Sequence, residues 1–280
     1  MTLPDFIGIG SMRCGSSWLH TLLDSHPQIY VPQKRIEVNY FTHYFHKGQD
    51  WYESYFPDAE VASQYKVIGE VSPQYICFPE ALPRIQAMPS VVKLITIFRD
   101  PIKRAHSDYG LAIREGRYTQ SFADYVEEDP TAIAYGMYAE QLKPYLDHFP
   151  KEQFLNLIFE QSVGDVLQAR QKIAEFFEVD PSLFPDESGL EKVNSTYVPR
   201  NKLLSFIATK VRYRLRRADL DGVITFAKKM GVESMLKTKD ATTLPPVPTD
   251  VRKRLLDRFL PDIEQLEKLL NLELSSWKKV

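Results

Sequence analysis

The chain has few cysteines, little net charge and no long apolar run. Two cysteines occur among its 280 residues, too few for the disulfide framework of a small secreted domain. The 35 Lys and Arg residues nearly balance the 37 Asp and Glu residues, and the net charge of −2 excludes a generally basic nucleic-acid-binding protein. No apolar stretch approaches the ~20 residues of a membrane-spanning helix, so we predict no membrane span. Because no signal-peptide pattern opens the chain, we expect a cytoplasmic protein with reduced thiols.

Short β-type runs alternate along the chain with helical patterns. The runs cover residues 5–10, 28–31, 66–70, 91–98 and 153–159. Helical periodicity covers residues 15–25, 79–87, 101–115, 121–128, 135–148 and 163–177. This alternation predicts a three-layer α/β fold, in which helices flank a central parallel β-sheet and ligands bind at its carboxyl edge. We expect residues 1–280 to form a single domain whose part after about residue 200 is mostly helical, with helices at 201–217 and 249–270.

The first predicted strand enters a glycine-containing loop that leads directly into a helix. Gly10 and Gly15 have the spacing of the nucleotide phosphate loop G-x-x-x-x-G-K-[ST], but Ser16 stands at the lysine position and the loop's cation is Arg13. Backbone N–H groups at the start of such a helix bind anions, so the segment predicts a P-loop-like phosphate site. The alternative is a purely structural turn in which Ser16 and Ser17 satisfy free N–H groups.

A second cationic segment follows the predicted strand at 91–98. Arg99 lies at the end of that strand, Pro101 suits the first turn of a helix, and Ser107 lies two turns into it. A guanidinium can bind a phosphate through two parallel hydrogen bonds, and a serine hydroxyl can add a third. The alternative for Arg99 is a surface residue paired with a carboxylate.

Taken together, the two segments resemble the sulfotransferases that use 3′-phosphoadenosine 5′-phosphosulfate (PAPS). Residues 12–19 match the family's 5′-phosphosulfate loop, P-K-[ST/C]-G-[ST]-[ST]-x-L, with Arg13 in place of the lysine. Residues 99–109 match its 3′-phosphate motif, R-[ND]-P-x-x-R-x-x-S-x-[YW]. The resemblance covers most of the chain and implies the P-loop-like sulfotransferase fold, PAPS as the sulfuryl donor, and no metal. It implies cofactor contacts for Arg13, Cys14, Gly15, Ser16, Ser17, Trp18, Arg99, Ser107 and Arg200.

Two of these residues carry further expectations. Arg13 keeps the positive charge of the family's lysine, so the resemblance also makes it catalytic, by stabilising charge on the leaving phosphate oxygen. Trp18 is expected either to stack on the adenine or to pack in the core. For Cys14, a small residue in a tight turn is favoured over a reactive thiol.

Residues 34–41 and 46–52 resemble the glycosaminoglycan-type branch of the family, in which a glutamate before an aromatic pair is the catalytic base. That resemblance assigns the base to Glu37. His43 and His46 are the alternatives, because the small-molecule branch of the family uses a histidine. Residues 69–75 resemble the family's acceptor-side segment G-E-K-[ST]-P-x-Y, with Val71 in place of the lysine. The implied substrate-binding residues are His46, Glu70 and Ser72.

The expected function is therefore transfer of a sulfuryl group from PAPS to a hydroxyl or amine of a carbohydrate or small metabolite. One alternative is a kinase with a degenerate phosphate loop, and another is a PAPS-binding module without catalysis. The basic run 210–217 either attracts an anionic glycan or forms a solvated helix face. Nothing in the sequence specifies an oligomeric state.

Overall fold

The computed structural model of the chain describes residues 2–190, 202–230 and 244–279. Five strands form one sheet: β1 (Phe6–Gly10), β2 (Ile29–Tyr30), β3 (Val67–Val71), β4 (Lys93–Phe98) and β5 (Phe154–Ile158). Their order across the sheet is β2-β3-β1-β4-β5, and every neighbouring pair is parallel. Each strand overlaps its predicted run, and the predicted parallel α/β architecture is confirmed.

The helices, in chain order, are α1 (Ser16–Asp24), α2 (Gln49–Glu53), α3 (Ala59–Ala62), α4 (Ala81–Gln86), α5 (Pro101–Arg114), α6 (Phe122–Glu128), α7 (Thr131–Ala134), α8 (Tyr138–His148), α9 (Phe159–Gly164), α10 (Val166–Phe177), α11 (Lys202–Arg217), α12 (Asp221–Lys229) and α13 (Thr249–Leu270). None of the helices in the described part of the chain is long and apolar enough to cross a membrane.

The central strand β1 explains the apolar character of the first segment. Its residue Phe6 pairs with Gly69 of β3 on one side and with Lys93 of β4 on the other. All five residues of β1 are buried, because parallel sheets carry helices on both faces. The loop that follows β1 therefore emerges at the carboxyl edge of the sheet, where ligands bind in folds of this class.

Two predicted helices have different bounds in the structure. The helix predicted over 135–148 starts as α8 only at Tyr138, because residues 135–137 are not helical and separate it from the short helix α7. The pattern predicted over 163–177 is divided between α9 and α10 at Asp165. The Asp165 carboxylate accepts the backbone N–H of Gln168 at 2.9 Å, so this residue caps the second helix rather than continuing the first.

The chain falls into two compact units. The first comprises residues 1–100, 137–193 and 261–274 and contains the whole sheet. The second comprises residues 101–136, 194–260 and 275–280. Within the second unit, the fully buried Arg104 donates to the Ala132 carbonyl at 2.6 Å and pairs with Asp108 at 3.4 Å. The predicted helices at 201–217 and 249–270 are present as α11 and α13.

Candidate active site

The loop between β1 and α1 requires a glycine at its last position. Gly15 has a φ of +102°, and a Cβ at this position would lie 2.3 Å from the Phe159 ring. The first hydrogen bond within α1 runs from the Leu19 N–H to the Gly15 carbonyl at 2.9 Å. The N–H groups of residues 16–18 precede that bond, so they lie in the first turn, where a helix offers no acceptor of its own. No acidic residue occupies that turn, which leaves its positive end available to an anion.

The cation of the second motif contacts the backbone of the loop beside this helix end. Arg99 follows β4, and its Nη1 donates to the Arg13 carbonyl at 3.4 Å. The Arg99 guanidinium lies 5.1 Å from the centre of the Phe159 ring, and its Nε is buried with no hydrogen-bond partner among the described residues. A half-buried guanidinium with an unsatisfied N–H is suited to a charged acceptor such as a phosphate oxygen.

Tyr138 links the two predicted phosphate segments. Its hydroxyl donates to the Arg99 carbonyl at 2.8 Å and lies 3.3 Å from the Cys14 sulfur. Cys14 is fully buried, and its backbone N–H donates to the Ser11 carbonyl at 3.3 Å. The Cys14 amide therefore already has an acceptor within the loop, which leaves the amides of residues 15–17 as the better anion donors among the predicted set 14–17.

On the other side of β1, the carboxylate of Glu70 lies at the centre of a buried polar network. Glu70 is fully buried in β3 and accepts hydrogen bonds from Tyr75 at 2.7 Å, from Tyr52 at 3.1 Å and from Ser72. The Val38 backbone N–H also donates to it. Burial raises the pKa of Glu70 above the usual glutamate range, although all four hydrogen bonds act to lower it.

The partners of Glu70 continue the network into the segment after Glu37. The Ser72 hydroxyl accepts the backbone N–H of Asn39 at 2.9 Å, and the Tyr75 hydroxyl accepts that of Phe41 at 3.4 Å. Three backbone amides of residues 38–41 are thus held from the end of β3. Asn39 has a φ of +57°, and a π-helical turn begins directly after it, at Tyr40. The half-buried Glu37 is the residue immediately before this fixed segment.

The cation before Glu37 is enclosed by aromatic rings. Arg35 is only 3% exposed, and its guanidinium lies 4.7 Å from the ring centre of Tyr44, 5.3 Å from that of Trp51 and 5.5 Å from that of Tyr55. The ammonium group of Lys47 lies over two of the same rings, those of Tyr44 and Trp51. These cation–π contacts fix the chain on the other side of Glu37.

Comparisons with known proteins identify the family. Residues 3–223 match the sulfotransferase domain family. The chain belongs to this family. The sulfotransferase domain also resembles a sulfotransferase structure from Alicyclobacillus acidocaldarius, with a TM-score of 0.70 and 23% identity over 100% of both chains, which supports the shared fold.

Two curated relatives match part of the sulfotransferase domain. Heparan sulfate glucosamine 3-O-sulfotransferase 3A1 of Mus musculus is 32% identical over 183 residues, which cover 62% of this chain and 45% of the relative. Membrane-associated sulfotransferase kil1 of Dictyostelium discoideum is 38% identical over 114 residues, 41% of this chain and 24% of the relative. The chain thus spans less than half the length of either curated relative.

Three residues expected to contact a ligand are buried. Trp18 is only 4% exposed, and its indole N–H donates to the Gly189 carbonyl at 2.9 Å, which agrees with core packing, the alternative to adenine stacking. Its backbone N–H lies in the first turn of α1. Glu70 and Ser72 are both fully buried, and their hydrogen bonds hold the segment after Glu37. Their role in acceptor binding stays a prediction.

Five of the other predicted residues are at least partly exposed, and one lies outside the described residues. Ser16, Ser17 and Arg13 are half-buried at the amino end of α1, Ser107 is half-buried on α5, and His46 is exposed. Arg200 lies outside the described residues. No group of His, Cys, Asp and Glu side chains within residues 2–190, 202–230 and 244–279 is arranged to hold a metal ion.

Sequence reasoning missed Phe159 and Tyr138, which contact residues of the two predicted phosphate segments. Phe159 packs under Gly15 and Arg99, and it lies edge-on to Trp18 with ring centres 6.5 Å apart. A signal for it existed, because Phe159 ends the apolar run of the fifth strand and parallel strands end at one edge. Tyr138 had no comparable local signal, since it begins a helix distant in sequence from both motifs.

Proposed function

We propose that this chain is a PAPS-dependent sulfotransferase that acts on a hydroxyl or amine of a carbohydrate or small metabolite and releases 3′-phosphoadenosine 5′-phosphate (PAP). The observation that carries the proposal is the contact of the Arg99 guanidinium with the Arg13 carbonyl, in the loop that leads into the amino end of α1. A helix end, the Arg99 guanidinium and an arginine within the loop together suit a strongly anionic ligand. PAPS carries phosphate groups at two positions, and the two sequence motifs resemble the segments that bind them.

The 5′-phosphosulfate is assigned to the loop and to the start of α1. The amides of residues 15–17 and the hydroxyls of Ser16 and Ser17 would donate to it, and Arg13 would neutralise its charge. The fit is supported by Gly15, where the absence of a side chain lets the backbone turn against the Phe159 ring. We assign the 3′-phosphate to Arg99 and Ser107 on the basis of the motif, and the unsatisfied Nε of Arg99 supports the first of these. The motif-based contact from Arg200 stays a prediction.

Glu37 is proposed as the general base. The acceptor oxygen or nitrogen attacks the sulfur, the bond between sulfur and the bridging oxygen breaks, and its electron pair stays on the phosphate of PAP. The acceptor's proton passes to the Glu37 carboxylate, while Arg13 stabilises the charge that develops on the bridging oxygen. Support comes from the position of Glu37 between the ring-enclosed Arg35 and the fixed segment 38–41, which limits its backbone to one arrangement.

The acceptor class is proposed from the relatives and from local charge. A relative is named for heparan sulfate glucosamine, an anionic carbohydrate, and the exposed His46 and half-buried Lys47 would suit such an acceptor. Val71 takes the place of the family's lysine on the acceptor side, so a less charged carbohydrate or small metabolite is included in the proposal.

Binding of PAP tests the donor assignment. A charge-assisted hydrogen bond to the 3′-phosphate contributes roughly 1.5–3 kcal/mol, so PAP should bind about tenfold or more tightly than AMP, which lacks that group. Arg99→Ala should remove most of this difference by calorimetry. The control is Arg254→Ala, which removes an exposed guanidinium paired with Glu127 at 3.5 Å on the second unit. Equal affinity of the unchanged chain for PAP and AMP would contradict the donor assignment.

A transfer assay with labelled PAPS and a panel of glycans, alcohols and amines tests the reaction itself. Labelled product from any acceptor supports an enzyme, whereas tight PAP binding with no transfer supports the non-catalytic module. Magnesium-dependent turnover of ATP would support the kinase alternative, which the proposal disfavours because Ser16 replaces the lysine of nucleotide phosphate loops.

A cytoplasmic location is also part of the proposal. The two cysteines have separate partners, since Cys14 contacts Tyr138 and the Cys77 thiol donates to Gln141 at 3.2 Å. Free thiols are typical of a reducing compartment. Both should react with a thiol reagent in protein that is isolated without reductant and then denatured, and a single disulfide would count against this location.

A further inference from the structure

Helix α11 turns a polar face toward its own unit. Ser205 and Thr209 are 6% and 7% exposed, and the Ser205 hydroxyl donates to the Arg114 carbonyl at 2.6 Å. Three residues after Thr209, the Arg212 guanidinium pairs with the Glu115 carboxylate at 2.8 Å. These residues, spaced four and three apart, lie on one side of the helix. The buried side of α11 is therefore hydrophilic, the reverse of an ordinary surface helix.

The opposite side of α11 exposes aliphatic residues together with cations. Leu203, Ile207 and Val211 follow at intervals of four residues and are 68%, 49% and 48% exposed. Lys210 and Arg214 lie three and seven residues after Ile207, on the same side of the helix, and both are exposed. An apolar stripe that faces water over three turns marks an interaction surface rather than ordinary surface variation.

Helix α12 packs against α11 and extends the same kind of surface. Val223, Phe226 and Met230 are 48%, 66% and 67% exposed, and their spacing of three and four residues forms a second stripe. We use the name α11–α12 surface for the exposed side chains Leu203, Ile207, Lys210, Val211, Arg214, Val223, Phe226 and Met230. Over residues 202–230 the sequence has eight Lys and Arg residues against two Asp residues, a net charge of +6 in a chain whose net charge is −2.

The mixture of apolar and basic side chains selects the partner. A twofold contact between two copies would bring Lys210 and Arg214 of each copy close together, which like-charge repulsion disfavours. A polyanion such as a glycan or nucleic acid would satisfy the cations but leave Leu203, Ile207 and Phe226 in water. A bilayer with anionic headgroups satisfies both, since apolar side chains enter the acyl boundary while cations meet the lipid phosphates and carboxylates.

We propose that the α11–α12 surface docks the protein peripherally on an anionic lipid bilayer. The inference does not depend on the proposed chemistry, because none of its residues belongs to the candidate active site. It assigns a use to the basic run 210–217, and the exposed aliphatic residues beside that run distinguish a lipid surface from a glycan or a merely solvated helix face.

Vesicle co-sedimentation of the full chain tests the proposal. Vesicles of phosphatidylcholine with phosphatidylserine should pellet the protein, vesicles of phosphatidylcholine alone should not, and added salt should weaken the binding. A basic residue near the surface contributes about fivefold in affinity, so Lys210→Glu with Arg214→Glu should reduce binding by more than about twentyfold. Ile207→Ser and Phe226→Ser should each reduce it by severalfold.

Matched controls use residues outside the α11–α12 surface. Leu167→Ser changes an aliphatic side chain that is 72% exposed on α10, and Lys172→Glu reverses an exposed charge on the same helix. Both should bind vesicles as the unchanged chain does, and PAP affinity should be the same in every variant. Absence of binding to phosphatidylserine vesicles, or binding that the surface variants leave unchanged, would overturn the proposal. Concentration-dependent dimers that Ile207→Ser abolishes would overturn it in favour of a second copy.

Discussion

Replacement of Glu70 tests whether its buried carboxylate organises the segment beside the candidate base. Glu70→Ala would remove the acceptor of four donors, the hydroxyls of Tyr52, Tyr75 and Ser72 and the Val38 N–H. Each buried donor left unpaired costs about 1–3 kcal/mol, so the sum is about 4 kcal/mol or more. That is a large part of the total stability of ~5–15 kcal/mol expected for a folded domain. We expect Glu70→Ala to fold poorly or not at all.

Glu70→Gln is the more informative variant, because it keeps the volume and one carbonyl oxygen. It replaces one acceptor by an N–H₂ group, so we expect a loss of about 1–3 kcal/mol at neutral pH in denaturant unfolding. If the network positions Glu37, sulfuryl transfer should fall at saturating PAPS while PAP affinity is preserved. Glu175→Gln, on the exposed side of α10, removes a carboxylate of the same size and should change neither the stability nor the rate of sulfuryl transfer.

The pH dependence of stability separates this reasoning from a simple packing effect. Because burial raises the pKa of Glu70, the folded chain holds the proton more tightly than the unfolded chain does. The stability that protonation contributes is complete below the ordinary glutamate pKa of about 4.3 and is lost as the pH rises through the folded value. The unchanged chain should therefore gain stability relative to Glu70→Gln as the pH falls toward that range. A difference that is independent of pH, or that changes in the opposite direction, would refute the assignment.

Three further predictions concern the loop and the base. Arg13→Ala should lower turnover more than PAP affinity, because the contact of Arg13 with the bridging oxygen strengthens as charge develops there. Arg13→Lys should keep substantial activity, and a wild-type rate in Arg13→Ala would exclude the assigned role. Gly15→Ala should destabilise the fold by about 2–4 kcal/mol in thermal or denaturant unfolding, because its φ is +102° and the new Cβ would lie 2.3 Å from Phe159. Gly164→Ala, with nothing within 4 Å, is the control, and equal effects of the two would contradict the geometry. Glu37→Gln should lower transfer by about 10²–10⁴-fold and leave PAP binding intact, whereas an unaffected rate together with loss of activity in His43→Ala would move the base to the histidine.

Local sequence patterns were sufficient for the strands and for the strand–loop–helix unit that contains Gly15. Apolar runs located β1, β4 and β5 because strands buried on both faces of a parallel sheet must be apolar throughout. The spacing of Gly10 and Gly15 indicated a tight loop. The structure gives the reason for the second glycine, because its positive φ and the close approach of Phe159 both exclude a side chain. The placement of Arg99 beside the loop followed from the parallel sheet, whose strands all end at one edge.

Sequence patterns did not reveal burial that distant parts of the chain decide. The G-E-x-S-P-x-Y segment implied an acceptor-side role for Glu70 and Ser72 and did not indicate that both side chains are fully buried. Their partners come from Tyr52 and from the amides of residues 38–41, which lie well before them in sequence. Only the tertiary structure brings together enough donors to hold this carboxylate in the interior.

By itself, the sequence determined the succession of strands and helices along the chain, the glycine loop after β1 and the resemblance to the sulfotransferases, because these depend on short-range spacing and backbone geometry. The tertiary structure alone decided which polar groups are buried and which apolar groups are not. Trp18 joins the core through a hydrogen bond to Gly189, a residue far along the chain, while Leu203 and Ile207 stay in water because α11 turns Ser205 and Thr209 inward. Burial depends on every neighbour that packs against a side chain, and a linear pattern does not specify those neighbours.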